Sequence, residues 1–465
     1  MSTATETRTE NRAMLTDLYQ LTMNAAYLDA GKDDQATFDL FIRKLPKDWG
    51  FFIANGIEDA VDQATNIRFT ADDISYLREQ GIFSERYLAQ LQDFRFTGDI
   101  FAVREGTPVA ANAPLIRVQA PRMQAQLLET LLLNTVNFQT MIATKAGRIV
   151  QAAAPAAVVD FGLRRAQGRD AAVEGARAAY IAGAVATSNV LAGKTYGIPI
   201  SGTQAHSFIM SFPHELDAFR AYVQTFPDRP TLLIDTYDTA QGARNAALVG
   251  KELAARGRQL GAVRLDSGDL ASLSREVRKI LDGAGLPYVQ IFASNDLNEY
   301  KIEQLRENGA CIDGYGVGTE MITAKPVAAI PGVYKLVADS NGPKIKLSAG
   351  KQSYPGIKQV YRVAHADGRF SHDVLALEGE EAAGTPLLEQ AVAQGKRTAP
   401  RRSLGEIRAY CLAQAARMPE ESRALAAQPY PLHISPALDS LVHTLSTHYG
   451  GNHHAHHLLE RRYAV

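Results

Sequence analysis

Residues 231–269 read TLLIDTYDTAQGARNAALVGKELAARGRQLGAVRLDSGD. Two short apolar runs, each closing on aspartates, bracket a helical stretch. That is the pattern of a parallel β/α unit, whose strands are buried on both faces and whose crossovers are helices. The pattern extends in both directions from about residue 155. AAVVDFG and GIPISGT precede the pair, and VQIFASND, IDGYGVGT and VYKLV follow it. Most runs end in an acid, a hydroxyl residue or glycine. Parallel barrels place their chemistry at the C-terminal ends of the strands, so a series of polar strand ends predicts a shared active-site rim.

The flanking sequence differs. LTDLYQLTMNAAYLDAG (15–31) predicts a helix with Leu18, Leu21, Ala25 and Leu28 on one apolar stripe and Gly31 as its stop. Tyr19, Met23 and Tyr27 form a second stripe, for which ordinary packing is the simplest account. ATFDLFIRKLP (36–46) reads as strand, residues 99–119 as short antiparallel strands with Gly/Pro turns, and about 122–150 as a long helix. The expected organisation is an N-terminal mixed α/β domain over 1–150, joined by 341–400, an α/β barrel over 151–340, and a C-terminal appendage over 401–465.

Composition narrows the function. The 465 residues are 46% hydrophobic and 21% charged, with a net charge of -1. No basic surface for nucleic acid and no polybasic membrane patch is implied, so any anion site must be local. Two cysteines, Cys311 and Cys411, exclude a disulfide framework and fit a reducing cytoplasm. The polar start lacks a signal core, and no run has the length of a membrane span. His453, His454, His456 and His457 lack carboxylate or cysteine partners in sequence and read as a solvated tract.

Three kinds of rim residue could carry chemistry. Asp235, Asp238, Asp266 and Asp269 suit a magnesium site shared with substrate oxygens, or equally the N-caps of the following helices. Gly314, Gly316, Gly318 and Thr319 form a late glycine loop of the kind that lets backbone N–H groups approach phosphate. Arg164, Arg165 and Arg264 offer guanidinium forks, and Arg264, inside an apolar run, needs an anionic partner from the protein or from a ligand. His206 stands in GTQAHS (202–207) after an apolar run, and alone it would be taken for a structural histidine.

Together these motifs resemble the nicotinate phosphoribosyltransferases. DFGLRR (160–165), GTQAHS, LIDTYDT (233–239), VRLDSGDL (263–270), FASNDL (292–297) and GYGVGTEM (314–321) carry the likeness in order, with LTDLYQLTM (15–23), FDLFIRKLP (38–46) and GKQSYPGIKQVYR (350–362). The likeness runs from about residue 15 to about 362. It implies an irregular parallel β/α barrel of the type II phosphoribosyltransferase kind with an N-terminal mixed α/β domain. It further implies a cytoplasmic homodimer with shared active sites, which joins nicotinate to 5-phosphoribosyl 1-diphosphate in NAD salvage, with coupled ATP hydrolysis. Magnesium is the implied cofactor, at Asp235 and Asp266, and ATP the co-substrate.

By the same resemblance Phe161 lies under the pyridine, Tyr19 of the partner subunit lies above it, Arg264 holds its carboxylate and Thr203 stands beside it. Gly316, Gly318 and Thr319 take the 5-phosphate and ribose, and Arg164 serves substrate phosphates or the base. His206 is the residue phosphorylated by ATP, and it is catalytic with Asp235 and Asp266. Related nicotinamide enzymes read the amide with an acid near the end of the helix after the DFG-type motif. Lys194-Thr195-Tyr196-Gly197 has none, which favours a carboxylate substrate. A nicotinamide enzyme, or a non-catalytic binder of the same fold, is the alternative.

Overall fold

The computed structural model describes residues 12–348, 351 and 353–449. The histidine tract at 453–457 lies outside them. The described residues divide into two compact units, 12–141 with those from 329 to 449, and 142–328. The chain leaves the first unit within the helix Glu129–Ala153, so the boundary falls inside a continuous helix rather than at 150.

The first unit is built on a seven-stranded antiparallel sheet. Its order is Gly342–Pro343, Gly332–Asp339, Gln35–Ile42, Pro114–Pro121, Asp99–Val103, Leu388–Ala393 and Lys396–Arg397. Gln35–Ile42 is central and buried along nearly its whole length, as the apolar run predicted. VYKLV belongs here and not to the barrel, because Gly332–Asp339 pairs antiparallel with Gln35–Ile42. Its apolar run alone could not identify its partner. Residues beyond 401 also join this unit: Leu432–Ile434 pairs parallel with Phe370–Leu377 in a four-stranded sheet.

The helix Leu18–Asp29 corrects the expected stripe. It buries Gln20, Leu21 and Asn24, and leaves Leu18 and Tyr19 exposed. Both polar side chains go inside on donor bonds to other segments. The Gln20 amide donates to Glu129 at 2.9 Å and accepts from Gln126, and Asn24 donates to the Met123 carbonyl at 2.9 Å.

The second unit holds a six-stranded, all-parallel sheet. The order is Ala186–Thr187, Ala157–Asp160, Gly314–Val317, Gln290–Ser294, Ala262–Leu265 and Thr231–Leu233. The two outermost strands do not pair, so this is the irregular, open β/α barrel expected. GIPISGT forms no strand, only an isolated bridge from Ile200 to Thr187. The strand that takes its place, Ala186–Thr187, is two residues long and leaves little pattern to read. Lys145 and Glu299, both buried, form an ion pair at 2.5 Å that ties Glu129–Ala153 to the helix Glu299–Glu307.

One clamp fixes the central sheet of the first unit. Arg122 donates to Asp34, which immediately precedes Gln35–Ile42, and to Asp339, which ends Gly332–Asp339, at 2.8–2.9 Å. The Ser340 hydroxyl, with Arg122, holds the Asp34 carboxyl well below the usual range. Burial opposes the charge on Asp339, but Lys344 and Arg122 outweigh it and lower that pKa too. A carboxyl whose folded pKa lies below its unfolded value adds stability that is complete above about pH 4 and disappears as pH falls through the folded value. The thermal midpoint is therefore expected to fall on acidification below about pH 4, and Asp34→Asn, less stable at neutral pH, to show a shallower acid fall. A variant with the same acid slope as the parent would contradict this role.

Candidate functional site

The strand ends of the second unit converge on Arg264. In the parallel register Arg264 lies opposite Leu233 on one side and Phe292 on the other. Its Nε donates to Ser294 Oγ at 2.8 Å, Nη1 to Thr203 Oγ1 at 2.9 Å and Nη2 to Asp266 Oδ1 at 2.8 Å. The side chain is 16% exposed, and Asp266 is the anionic partner that such burial requires. A guanidinium carries five N–H groups. Those not used by these three bonds, one on each terminal nitrogen, leave a fork for a carboxylate.

Asp266 is held in turn. Its Oδ1 also accepts from the Ser294 hydroxyl, and its Oδ2 lies 3.7 Å from His206 Nε2. Burial works against its charge, but Ser294, Arg264 and His206 outweigh it and hold its pKa below the ordinary carboxylate value. Asp235, one strand over, accepts from the Asp266 backbone N–H at 2.8 Å and the Ser267 hydroxyl at 2.6 Å through Oδ2. Its Oδ1 is buried with no hydrogen bond. That is a vacant acceptor suited to a cation. Among the described residues no group of three or more His, Cys, Asp or Glu is arranged to hold a metal. Any ion here would therefore share its shell with substrate oxygens and water, as magnesium does.

The four aspartates thus divide. Asp238 accepts from Gln241 N and Asp269 from Ala271 N and Ser272 N, so both are N-caps of the helices that follow. Asp235 and Asp266 face the cluster.

His206 is the first residue of the helix His206–Met210. Its Nδ1 lies 3.1 Å from Thr236 Oγ1, so the ring is fixed by Thr236 on one nitrogen and faced by Asp266 on the other. The side chain is 41% exposed, open enough to react with a ligand.

Phe161 follows the strand Ala157–Asp160. Asp160 is buried and accepts from Gly162 N and Thr187 Oγ1, each at 2.8 Å, which pins the turn. Burial pushes its pKa up against those two bonds. The Phe161 ring lies against Gly316, where a Cβ would overlap it, and the Arg264 guanidinium carbon is 5.4 Å from the ring centroid. Gly316, expected at a phosphate, is thus required here for the ring. Gly318 and Thr319 lead into the short helix Thr319–Ile322. Arg164 and Arg165 stand exposed on the turn Leu163–Arg165, and Tyr19, in the first unit, is 47% exposed.

Several residues of this site went unread in the sequence. Ser294 lay in a quoted motif, and Asn295 and Asp296 after it take positive φ values of 110° and 31°, a sharp turn that no side-chain pattern signals. Thr187 sits on a strand too short to detect, and Thr236 between two aspartates drew no notice. Glu215 is buried, bonded to Asn245 at 2.9 Å, and has its pKa raised by burial, with Asp238 and Asp235 adding like charge. Lys194 and Tyr196 lie on the helix Val190–Tyr196, where the Tyr196 ring meets Arg177.

Family models described as the nicotinate phosphoribosyltransferase N-terminal domain, family and C-terminal domain match residues 14–137, 156–326 and 382–442. A nicotinate phosphoribosyltransferase of Mycobacterium tuberculosis (strain H37Rv) is 43% identical over 428 residues, 91% of each chain. One from Bacillus subtilis (strain 168) is 43% identical over 381 residues, 80% of this chain and 77% of its own. The crystal structure of human nicotinic acid phosphoribosyltransferase superposes with a TM-score of 0.83 at 30% identity, over 92% of this chain and 99% of that one. The open parallel barrel, its clustered strand ends and these matches have one reading: the chain belongs to the nicotinate phosphoribosyltransferase family.

Proposed function

We propose that this chain transfers the phosphoribosyl group of 5-phosphoribosyl 1-diphosphate to nicotinate, releasing diphosphate and nicotinate mononucleotide for NAD biosynthesis, with coupled ATP hydrolysis. The observation that carries the reading is the Arg264 fork. It is anchored by Ser294, Thr203 and Asp266, has N–H groups left over, and stands beside the Phe161 ring.

The residues present divide the work. Arg264 takes the carboxylate, and Phe161 takes one face of the pyridine. Tyr19 of the partner subunit covers the other face in a homodimer, for which its ring is 47% exposed. Each offset stack contributes about 0.5–1.5 kcal/mol and fixes the ring plane. The pyridine nitrogen already has its lone pair, so attack at the anomeric carbon needs no general base, and positioning with electrostatics dominates. Gly318 and Thr319 lie at the end expected for the 5-phosphate, and Arg164, exposed on its turn, can reach substrate phosphates. Asp235 Oδ1 suits magnesium, which when bound would offset negative charge on the leaving diphosphate. Asp266 is already engaged by Arg264 and is better placed to orient that residue and His206. His206 is the acceptor of the ATP phosphoryl group, and Thr236 and Asp266 fix its ring.

Four measurements test this. Nicotinate is expected to exceed nicotinamide in kcat/KM by at least about tenfold, because a charge-assisted pair at Arg264 is worth about 1.5–3 kcal/mol; equal values would contradict the role of Arg264. With γ-labelled ATP, His206 is expected to carry an acid-labile, base-stable label. His206→Ala is expected to lose the ATP-driven gain while slow synthesis persists; ATP stimulation to the parent extent would remove His206 as acceptor. Mixed Tyr19→Ala and Arg264→Ala chains are expected to regain activity through heterodimers, and no recovery after verified subunit exchange would exclude Tyr19 acting across subunits.

A further inference from the structure

An aspartate at a helix N-cap ordinarily accepts from the open N–H groups of its own first turn. Asp17 stands at the N-cap of Leu18–Asp29 and does not. Its Oδ2 accepts instead from the Thr130 hydroxyl at 2.7 Å, and its backbone N–H donates to Thr130 Oγ1 at 3.4 Å. Three residues on, the buried Gln20 donates to Glu129 Oε2 at 2.9 Å. Gln126 donates to the same oxygen at 3.1 Å and to Gln20 Oε1 at 2.6 Å, which closes a triangle of side chains. The turn that carries Tyr19 is thus tied on both sides, at Asp17 and at Gln20, to the first two residues of Glu129–Ala153.

Glu129 is the hub of these ties. Its side chain is 13% exposed, takes both amides on Oε2 and has Lys335 Nζ 3.8 Å from Oε1. Its charge also reaches the Tyr19 phenol, whose pKa is raised by burial first and then by Glu129 and Asp17. The Tyr19 ring itself is 47% exposed beside the fully buried Gln20. An exposed side chain loses rotamer freedom when a ligand orders it, and that loss weakens binding. A turn fixed beforehand, with a carboxylate beside the phenol, reduces what is left to lose.

We propose that Glu129 is a positioning residue for the reaction: it holds the turn that carries Tyr19 and so presents that ring to the base bound by the partner subunit. The inference rests on Tyr19 covering the pyridine across subunits, as proposed above. Glu129 touches no substrate and acts only through Tyr19.

Glu129→Ala is expected to raise KM for nicotinate about two- to tenfold, the range set by ordering one side chain on binding, with a smaller change in kcat. Glu129→Gln, which keeps the size and one acceptor oxygen, is expected to lie between. In a Tyr19→Ala background the same changes are expected to leave KM where Tyr19→Ala alone puts it. Mixed Glu129→Ala and Arg264→Ala chains are expected to form one site with the parent KM, because the Arg264→Ala chain brings an unaltered Glu129 and Tyr19 to its partner's Arg264. A KM unchanged in both Glu129 variants, or raised equally with and without the Tyr19 ring, overturns the proposal. So does a loss of kcat at constant KM, which reports only less folded enzyme. Mixed chains that show only the raised KM would place Glu129 at its own subunit's site and overturn it too. If Tyr19→Ala itself leaves KM unchanged, the role given to Tyr19 fails, and the hold of Glu129 on that residue is judged by the Tyr19 phenol, identified by its loss in Tyr19→Phe. Ionisation at lower pH in Glu129→Gln sustains the hold, and an unchanged titration removes it.

Discussion

A cation withdrawn from water is expensive unless its donors are met, and Arg264 is where the strand ends meet that cost. Its three hydrogen bonds go to three different segments: Thr203 at the end of the irregular 197–203 stretch, Ser294 at the end of Gln290–Ser294, and Asp266 just past its own strand. The partners are themselves held, Asp266 through its backbone N–H by Asp235 and through its side chain by Ser294. Removing one member leaves the others buried and unpaired, which costs more than the single bond lost. The strand ends are therefore fixed relative to one another before any ligand arrives.

The parallel sheet makes this arrangement possible. Its strands bring Asp235, Asp266, Ser294 and Gly316 to one rim because each run ends at a similar height. The runs reach that height on apolar residues buried on both faces, Leu232, Val263, Ile291 and Val317 on the one and Leu233 and Val159 on the other. Glycine is used here to admit rings: Gly314 and Gly316 leave space for Phe292 and Phe161 inside a strand that otherwise packs tightly. Asp160 adds a pinned turn that carries Phe161 over the sheet.

Most of this architecture was legible in the sequence. The βαβ pattern is strong in segments such as 231–269, where acids end apolar runs and helices intervene, and it led directly to Asp235, Arg264 and Asp266. Legibility failed where burial and pattern part company. VYKLV has the composition of a barrel strand yet pairs antiparallel with Gln35–Ile42, because pairing partners are set by tertiary context. Gln20 and Asn24 occupy the buried face of a helix whose leucines suggested another, because their amide N–H groups donate to Glu129 and Met123 there. Asp238 and Asp269 look like Asp235 and Asp266 in sequence and differ only in reaching back to helix N–H groups. Thr187 and Thr236, which fix Asp160 and His206, are hydroxyls whose partners lie about 30 residues away, and no local pattern marks such a pair.

The central claim is that Arg264, held by Ser294, Thr203 and Asp266, presents its remaining N–H groups to the carboxylate of the base. A crystal structure with nicotinate bound tests it most directly. The account predicts the carboxylate within hydrogen-bond distance of the Arg264 terminal nitrogens, with the pyridine stacked on Phe161 and the three protein bonds to the guanidinium intact. A nicotinate whose carboxylate lies on other groups, with Arg264 bonded only to the protein, would contradict it.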